Sequence, residues 1–88
     1  IYALGEVSSP GKKEVAPGTT LLQFLAESGG LTRFAATKRI QLRRVDSSGQ
    51  EQVYTFNYNA VQAGARSGGN TVLQSGDVVL VPERKLFE

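Results

Sequence analysis

Residues 18–32 constrain the fold most, because only this segment combines a helical period with stop signals at both ends. Thr20 followed by Gln23 matches a capping box, in which two side chains bond backbone N–H groups of a first helical turn. The apolar residues that follow sweep one broad face at about 100° per residue. Gly29 or Gly30 is expected at positive φ, the conformation that commonly ends a helix. The segment therefore predicts one short helix with a face to bury.

The composition bounds the class of protein. A chain of 88 residues, 40% hydrophobic and 20% charged, is predicted to be one ordinary globular domain with one core. No apolar run approaches the length of about 20 residues that crosses a bilayer. Because the chain begins with Ile1 and contains no methionine, we expect it to be part of a longer protein. The net charge of +2 is too small to imply a nucleic-acid partner.

The first hairpin is predicted before the helix. Residues 1–7 are apolar at both alternating positions, which predicts a central strand covered on both faces. Gly5 interrupts this strand, and we expect the helix to approach the backbone there. Pro10 and Gly11 stand where a type II turn across residues 9–12 needs them. A short edge strand is expected to follow at residues 12–15.

A second hairpin is predicted after the helix. Residues 39–45 and 52–58 each alternate apolar and polar side chains, and residues 46–49 between them are typical of a turn. In the second of these strands the aromatic residues fall on one side: Tyr54, Phe56 and Tyr58. The strand at residues 39–45 is thus predicted to be half-buried, with one face in water.

The remaining segments predict a helical turn, a loop and a last strand. Asn59 is expected to start a single helical turn over residues 59–64, followed by a polar, glycine-rich loop at residues 65–70. Gly76 and Asp77 belong to a predicted turn, in which Asp77 accepts backbone hydrogen bonds. A buried strand follows, up to Pro82, and the charged residues 83–88 are expected to lead elsewhere.

The order hairpin, helix, hairpin, last strand is that of a β-grasp. We therefore predict an α+β fold, with a mixed sheet of about five strands and one main helix packed across one face. The first and last strands, which have the most apolar sequences, are expected side by side at the centre of the sheet.

Four strings in this order resemble the SLBB domain, the soluble-ligand-binding β-grasp module: YALGEVSSPG, TLLQFLAESGGLT, RIQLRR and NTVLQSGDVVLVP. The similarity is to its copies in bacterial polysaccharide export proteins of the outer-membrane lipoprotein type. This resemblance implies a domain at residues 1–82 and a tail at residues 83–88 that leads to the rest of a multi-domain parent. It also implies residence in the periplasm and an oligomeric ring that transports capsular polysaccharide or exopolysaccharide. Residues 64–69 look longer than the usual connection of this family.

The sequence gives little reason to expect catalytic residues. There is no histidine or cysteine, and Asp46, Glu51 and Asp77 fall in or beside turns without a base, nucleophile or metal cluster. We expect no enzyme activity, no metal site and no cofactor. The glycines and the proline of the predicted turns and caps are assigned structural roles: Gly5, Pro10, Gly11, Gly29, Gly30 and Gly76.

A candidate ligand site combines cations with aromatic residues. Arg39 and Arg43 belong to a group of cations that also includes Arg33, Lys38 and Arg44, and this group could bind an acidic polysaccharide or a phosphate. Tyr54 and Tyr58 could stack a sugar ring. The alternative is that the cations form a solvated face and that the tyrosines pack across strands.

Three functions are consistent with the sequence. The first is a non-enzymatic module that shapes or lines a polysaccharide export assembly by packing against its neighbours in the ring. The second is a carbohydrate-binding module whose sheet holds an anionic polymer directly. The third is an accessory domain of a redox enzyme complex, since SLBB domains also occur beside flavin and iron–sulfur subunits.

Overall fold

The structure is a computed structural model of the chain and describes residues 1–64 and 71–88. The described residues form five strands and two short helices. In chain order these are β1 (Tyr2–Gly5), β2 (Gly11–Lys12), α1 (Leu21–Glu27), β3 (Ile40–Val45), β4 (Glu51–Phe56), α2 (Tyr58–Gln62) and β5 (Val78–Val81). The predicted α+β class is confirmed, and the arrangement is consistent with a β-grasp. The predicted loop at residues 65–70 lies outside the described residues.

The strands form one mixed sheet in the order β2-β1-β5-β3-β4. β1 and β5 are parallel, while the other neighbouring strands are antiparallel. The first and last strands are therefore adjacent within the sheet, as predicted. β5 is the middle strand, and β2 and β4 are the two edges.

Helix α1 forms as its sequence predicts. Thr20 Oγ1 accepts from the Gln23 backbone N–H at 3.3 Å, and Gln23 Oε1 accepts from the Thr20 N–H at 3.0 Å. After the helix, Gly29 and Gly30 have φ values of 82° and 81°, and the Gly30 N–H donates to the Leu25 carbonyl at 3.0 Å. The helix ends there because both residues take a conformation that favours glycine. Its buried side chains are Leu21, Phe24 and Leu25.

The core lies between α1 and one face of the sheet. Its largest fully buried apolar side chains are Phe24, Ile40, Leu42, Val79 and Val81. The prediction that β1 is covered on both faces is wrong, because only one of its faces meets the helix. Ala3 is fully buried, whereas Tyr2 and Leu4, which point to the opposite face, are 41% and 45% exposed.

Two details of the first hairpin also differ from prediction. The neighbour of Gly5 is not the helix but strand β5, since a Cβ added at Gly5 would overlap the Val81 carbonyl oxygen. Gly11 has a positive φ of 122°, as the predicted type II turn needs, but residues 9–12 do not by themselves close the hairpin, because Gly11 already pairs with Ala3 in β2. Instead, the connection bonds to the end of the helix: the Ser9 N–H donates to the Ser28 carbonyl at 2.8 Å.

The second hairpin is confirmed, but its last strand is shorter than predicted. β4 ends at Phe56, and Tyr58 begins α2. The N-cap is Asn57 rather than Asn59, since the Asn57 side-chain oxygen accepts from the Ala60 N–H at 3.2 Å. An asparagine in this position satisfies a backbone donor of the first turn and so ends the strand.

The chain after β5 lies against the connector between α1 and β3. The Ala36 N–H donates to the Pro82 carbonyl and the Arg84 N–H donates to the Phe34 carbonyl, both at 2.8 Å. Residues 83–88 therefore contact the rest of the chain. The division into a domain at residues 1–82 and a tail stays a prediction.

Candidate functional site

The predicted ligand residues do not share one surface. In the β3–β4 register Leu42 pairs with Tyr54, so the Tyr54 side chain lies on the helix side of the sheet with the fully buried Leu42. Arg43 follows Leu42 and therefore points to the opposite face. The expectation that Arg43 and Tyr54 form one site is wrong, because the hairpin register separates them.

Arg39 lies just before β3 and is engaged by the C-terminal residues. Its Nε and Nη2 atoms donate to the two Glu88 carboxylate oxygens at 2.7 and 2.8 Å, and Nη2 also donates to the Glu83 carbonyl at 3.2 Å. The hydrogen bond from Arg39 lowers the pKa of Glu88 to about 2, and the same bond raises the pKa of Arg39. The Nε and Nη2 donors of Arg39 are thus occupied within the chain.

The two tyrosines differ in position. Tyr54 is 45% exposed on the edge strand β4. Tyr58 is the first residue of α2 and packs, half-buried, against the core. They therefore do not form the predicted row of aromatic side chains along one strand.

Sequence reasoning missed the partner of Asp77. The Asp77 side chain is 1% exposed and accepts from Arg44 at 3.0 Å from Nε and 2.8 Å from Nη2. It also accepts from the Gln74 N–H at 2.8 Å, which is the backbone bond predicted for its own turn. Arg44 shares the inward alternation of Ile40 and Leu42, and a cation at such a position needs a buried acid. Arg44 is thus part of the fold.

The sheet face opposite α1 carries an exposed surface that we call the open face. Its first row crosses four strands, because Tyr2 pairs with Val78, Val78 with Arg43 and Arg43 with Val53. A second row adds Leu4, Leu80 and Gln41. The open face consists of these seven residues, and it places Tyr2 on the same face as Arg43 with one strand between them. Sequence reasoning missed Tyr2 because it predicted that both faces of β1 are covered.

The Arg43 side chain on the open face contacts two polar neighbours, Gln41 and Glu51. Its Nε and Nη2 atoms donate to Gln41 Oε1 at 3.2 and 3.1 Å, and Nη1 lies 3.6 Å from Glu51 Oε1. The Arg43 side chain is 41% exposed. An arginine oriented in this way can still present N–H donors to a carboxylate on a bound molecule.

Metal sites and membrane-spanning helices are both absent from residues 1–64 and 71–88. No group of three or more acidic, histidine or cysteine side chains that could hold a metal ion occurs there. In the same residues, no helix has the length and apolar character that crossing a bilayer requires.

Comparison with known proteins agrees with the fold. The family model described as SLBB domain matches residues 1–56, more than half of the chain. The chain belongs to the SLBB domain family. An SLBB domain is a binding module rather than a catalytic one, and such domains occur in polysaccharide export proteins. No curated protein matches this chain.

Proposed function

We propose that this SLBB domain is a non-enzymatic module of a periplasmic export assembly that carries capsular polysaccharide or exopolysaccharide across the outer membrane. Membership of the SLBB family carries the proposal, because this domain family includes modules of polysaccharide export proteins. In this role the domain packs against other domains or subunits of an export ring. The partly exposed apolar rows of the open face offer a surface for that packing.

A test in cells uses the bacterial gene that encodes this segment. Deletion of the codons for residues 1–82 should abolish surface polysaccharide, measured with a polymer-specific antibody, and re-expression of the gene should restore it. Fractionation of the same cells should place the protein in the periplasm or with the outer membrane. Normal surface polysaccharide in the deletion strain would contradict the proposal.

A second candidate is direct contact with the polymer through the open face. Tyr2 and Arg43 favour it, because an aromatic ring stacks on the C–H face of a sugar and a guanidinium binds a carboxylate. The neighbouring strands lie about 5 Å apart, so these two side chains are spaced by about 10 Å across β5. That span suits two successive sugars of an anionic polymer.

Paired variants separate packing from direct contact. Tyr2→Ser and Arg43→Gln should each weaken binding of an acidic oligosaccharide to the purified chain if the open face holds the polymer. If the open face only packs against neighbouring domains, both variants should bind the oligosaccharide as the parent does while export in cells is reduced.

A further inference from the structure

A cluster of three cations, Arg33, Lys38 and Arg84, lines a cavity away from the open face. The connector between α1 and β3, the start of α2 and the chain after β5 enclose an open cavity of about 330 Å³. Its polar and charged lining includes Arg33, Thr37, Lys38, Asn59, Arg84 and Glu88. This basic cavity brings Arg84, distant in sequence, beside the two cations of the connector.

Two tight turns place the connector cations at the surface. In the first turn the Ala35 N–H donates to the Thr32 carbonyl at 3.1 Å, and in the second the Arg39 N–H donates to the Ala36 carbonyl at 3.0 Å. Arg33 and Lys38 are central residues of these turns, where side chains project into solvent. Backbone bonds join the connector to neighbours on both sides, so the frame of the cavity is fixed before a ligand arrives.

The cavity has an excess of available positive charge. Arg33, Lys38 and Arg84 make no side-chain hydrogen bond or ion pair with any other described residue. The one acid in the lining, Glu88, is already bonded at both oxygens by Arg39. Arg33 is oriented by Phe34, since its guanidinium carbon lies 4.9 Å from the centre of the ring. Among residues 1–64 and 71–88, the three cations thus lie together without an acid bonded to them.

We propose that the basic cavity binds a carboxylate-bearing sugar of an acidic polysaccharide, an inference that rests on the proposed function. The three cations suit the carboxylate, and the Asn59 amide and Thr37 hydroxyl provide donors and acceptors for sugar hydroxyls. The volume is at the lower end of ligand cavities and suits one sugar unit rather than an extended chain.

The test is a chemical-shift titration of the 88-residue chain with a tetramer of galacturonic acid. The tetramer should shift the amides of residues 33–38 and Arg84, whereas a neutral glucose tetramer at the same concentration should leave them in place. Lys38→Gln should weaken binding of the acidic tetramer about tenfold, the effect of losing one charge-assisted hydrogen bond. Lys13→Gln is the matched control, because it removes the same charge just after β2, where Lys13 Nζ donates to Ser9 Oγ at 2.8 Å, and it should leave the affinity unchanged.

Three outcomes would overturn the proposal. Equal losses of affinity in the Lys13 and Lys38 variants would show attraction by overall charge alone. Equal shifts with inorganic phosphate would show a site for simple anions. Shifts centred on Tyr2 and Arg43 would place the acidic sugar on the open face, and in that case the proposed function stands although the basic cavity does not bind. Failure of the proposed function is seen separately, as normal export in the deletion strain.

Discussion

Arg43 and Arg44 are consecutive residues of one strand, yet they serve opposite faces of the sheet. Arg44 bonds Asp77 at 2.8 Å, and their side chains are 19% and 1% exposed. Arg43 lies 3.6 Å from Glu51, and these side chains are 41% and 52% exposed. On the face covered by α1, Arg44 stabilises the fold through a buried ion pair. On the open face, Arg43 is more exposed and can still donate hydrogen bonds to a ligand.

The apolar residues of the two faces also differ in how much of each side chain is exposed to solvent. Leu42 of β3 is fully buried on the covered face, whereas Leu4 of β1 is 45% exposed on the open face. A strand of a one-helix sheet can therefore be apolar at both alternating positions while only one set forms the core. The second set is surface that another molecule can cover.

The largest loss of stability should come from breaking the buried ion pair between Arg44 and Asp77. Arg44→Gln leaves Asp77 buried without its cation, and the free energy of unfolding should fall by about 3–5 kcal/mol. Arg43→Gln is the matched control on the open face and should cost about 0–1 kcal/mol. Urea denaturation of both variants measures the difference. Equal losses of stability in the two variants would mean that the arginines on the two faces contribute equally to the fold.

The apolar residues provide a second comparison. Leu42→Ala should lower the free energy of unfolding by about 2–5 kcal/mol, because it leaves a cavity in the core. Leu4→Ala should cost less than about 1 kcal/mol, since part of that side chain is already in water. If the Leu4 variant proves as unstable as the Leu42 variant in urea, the open face is not the exposed surface described above.

Substitutions of the two glycines that follow α1 should have a smaller effect on stability. Gly29→Ala and Gly30→Ala should each lose about 1–2 kcal/mol, because both glycines have positive φ. Gly29→Ala should lose more, since the new Cβ would lie 2.9 Å from the Ser8 Cβ, whereas the space beside Gly30 is open. Thermal melts that rank the two variants in the opposite order would contradict this packing of the helix end.

The smallest effect concerns a solvent-exposed carboxylate at the turn between β3 and β4. Asp46 accepts from the Ser48 hydroxyl, the Gln50 N–H and the Gln52 amide, and these bonds lower the pKa of Asp46 to about 2. Because the folded pKa is lowered, this stabilisation is present above about pH 4 and is lost as the pH falls towards 2. Asp46→Ala should therefore melt below the parent at pH 7, and the gap should close as the pH falls through about 2. An equal gap at both pH values would exclude the carboxylate as its cause.

Local signals explain what the sequence predicted well. The capping box, the two glycines and the alternation of β3 lie within a few residues of the structure that they specify, and helix α1 and the second hairpin follow from them. The bond from the Gln74 N–H to Asp77 is local in the same sense.

Pairing between distant segments explains what was missed. Alternation predicts that Arg43 and Gln41 share a face, but only the register with β4 shows that Tyr54 belongs to the other one. The Arg44–Asp77 pair joins residues 33 positions apart, and the basic cavity draws Arg84 beside Arg33. Neither arrangement leaves a periodic pattern in the sequence.

The parallel pairing of β1 and β5 has a mechanical consequence. Residues Tyr2 to Gly5 run beside Val78 to Val81, so the chain enters the sheet at one end of this pair and leaves at the other. A pull on the two ends of the domain would slide the strands past each other and load their evenly spaced hydrogen bonds together. Such a domain resists tension in shear, whereas a hairpin pulled apart from its open end breaks one bond at a time.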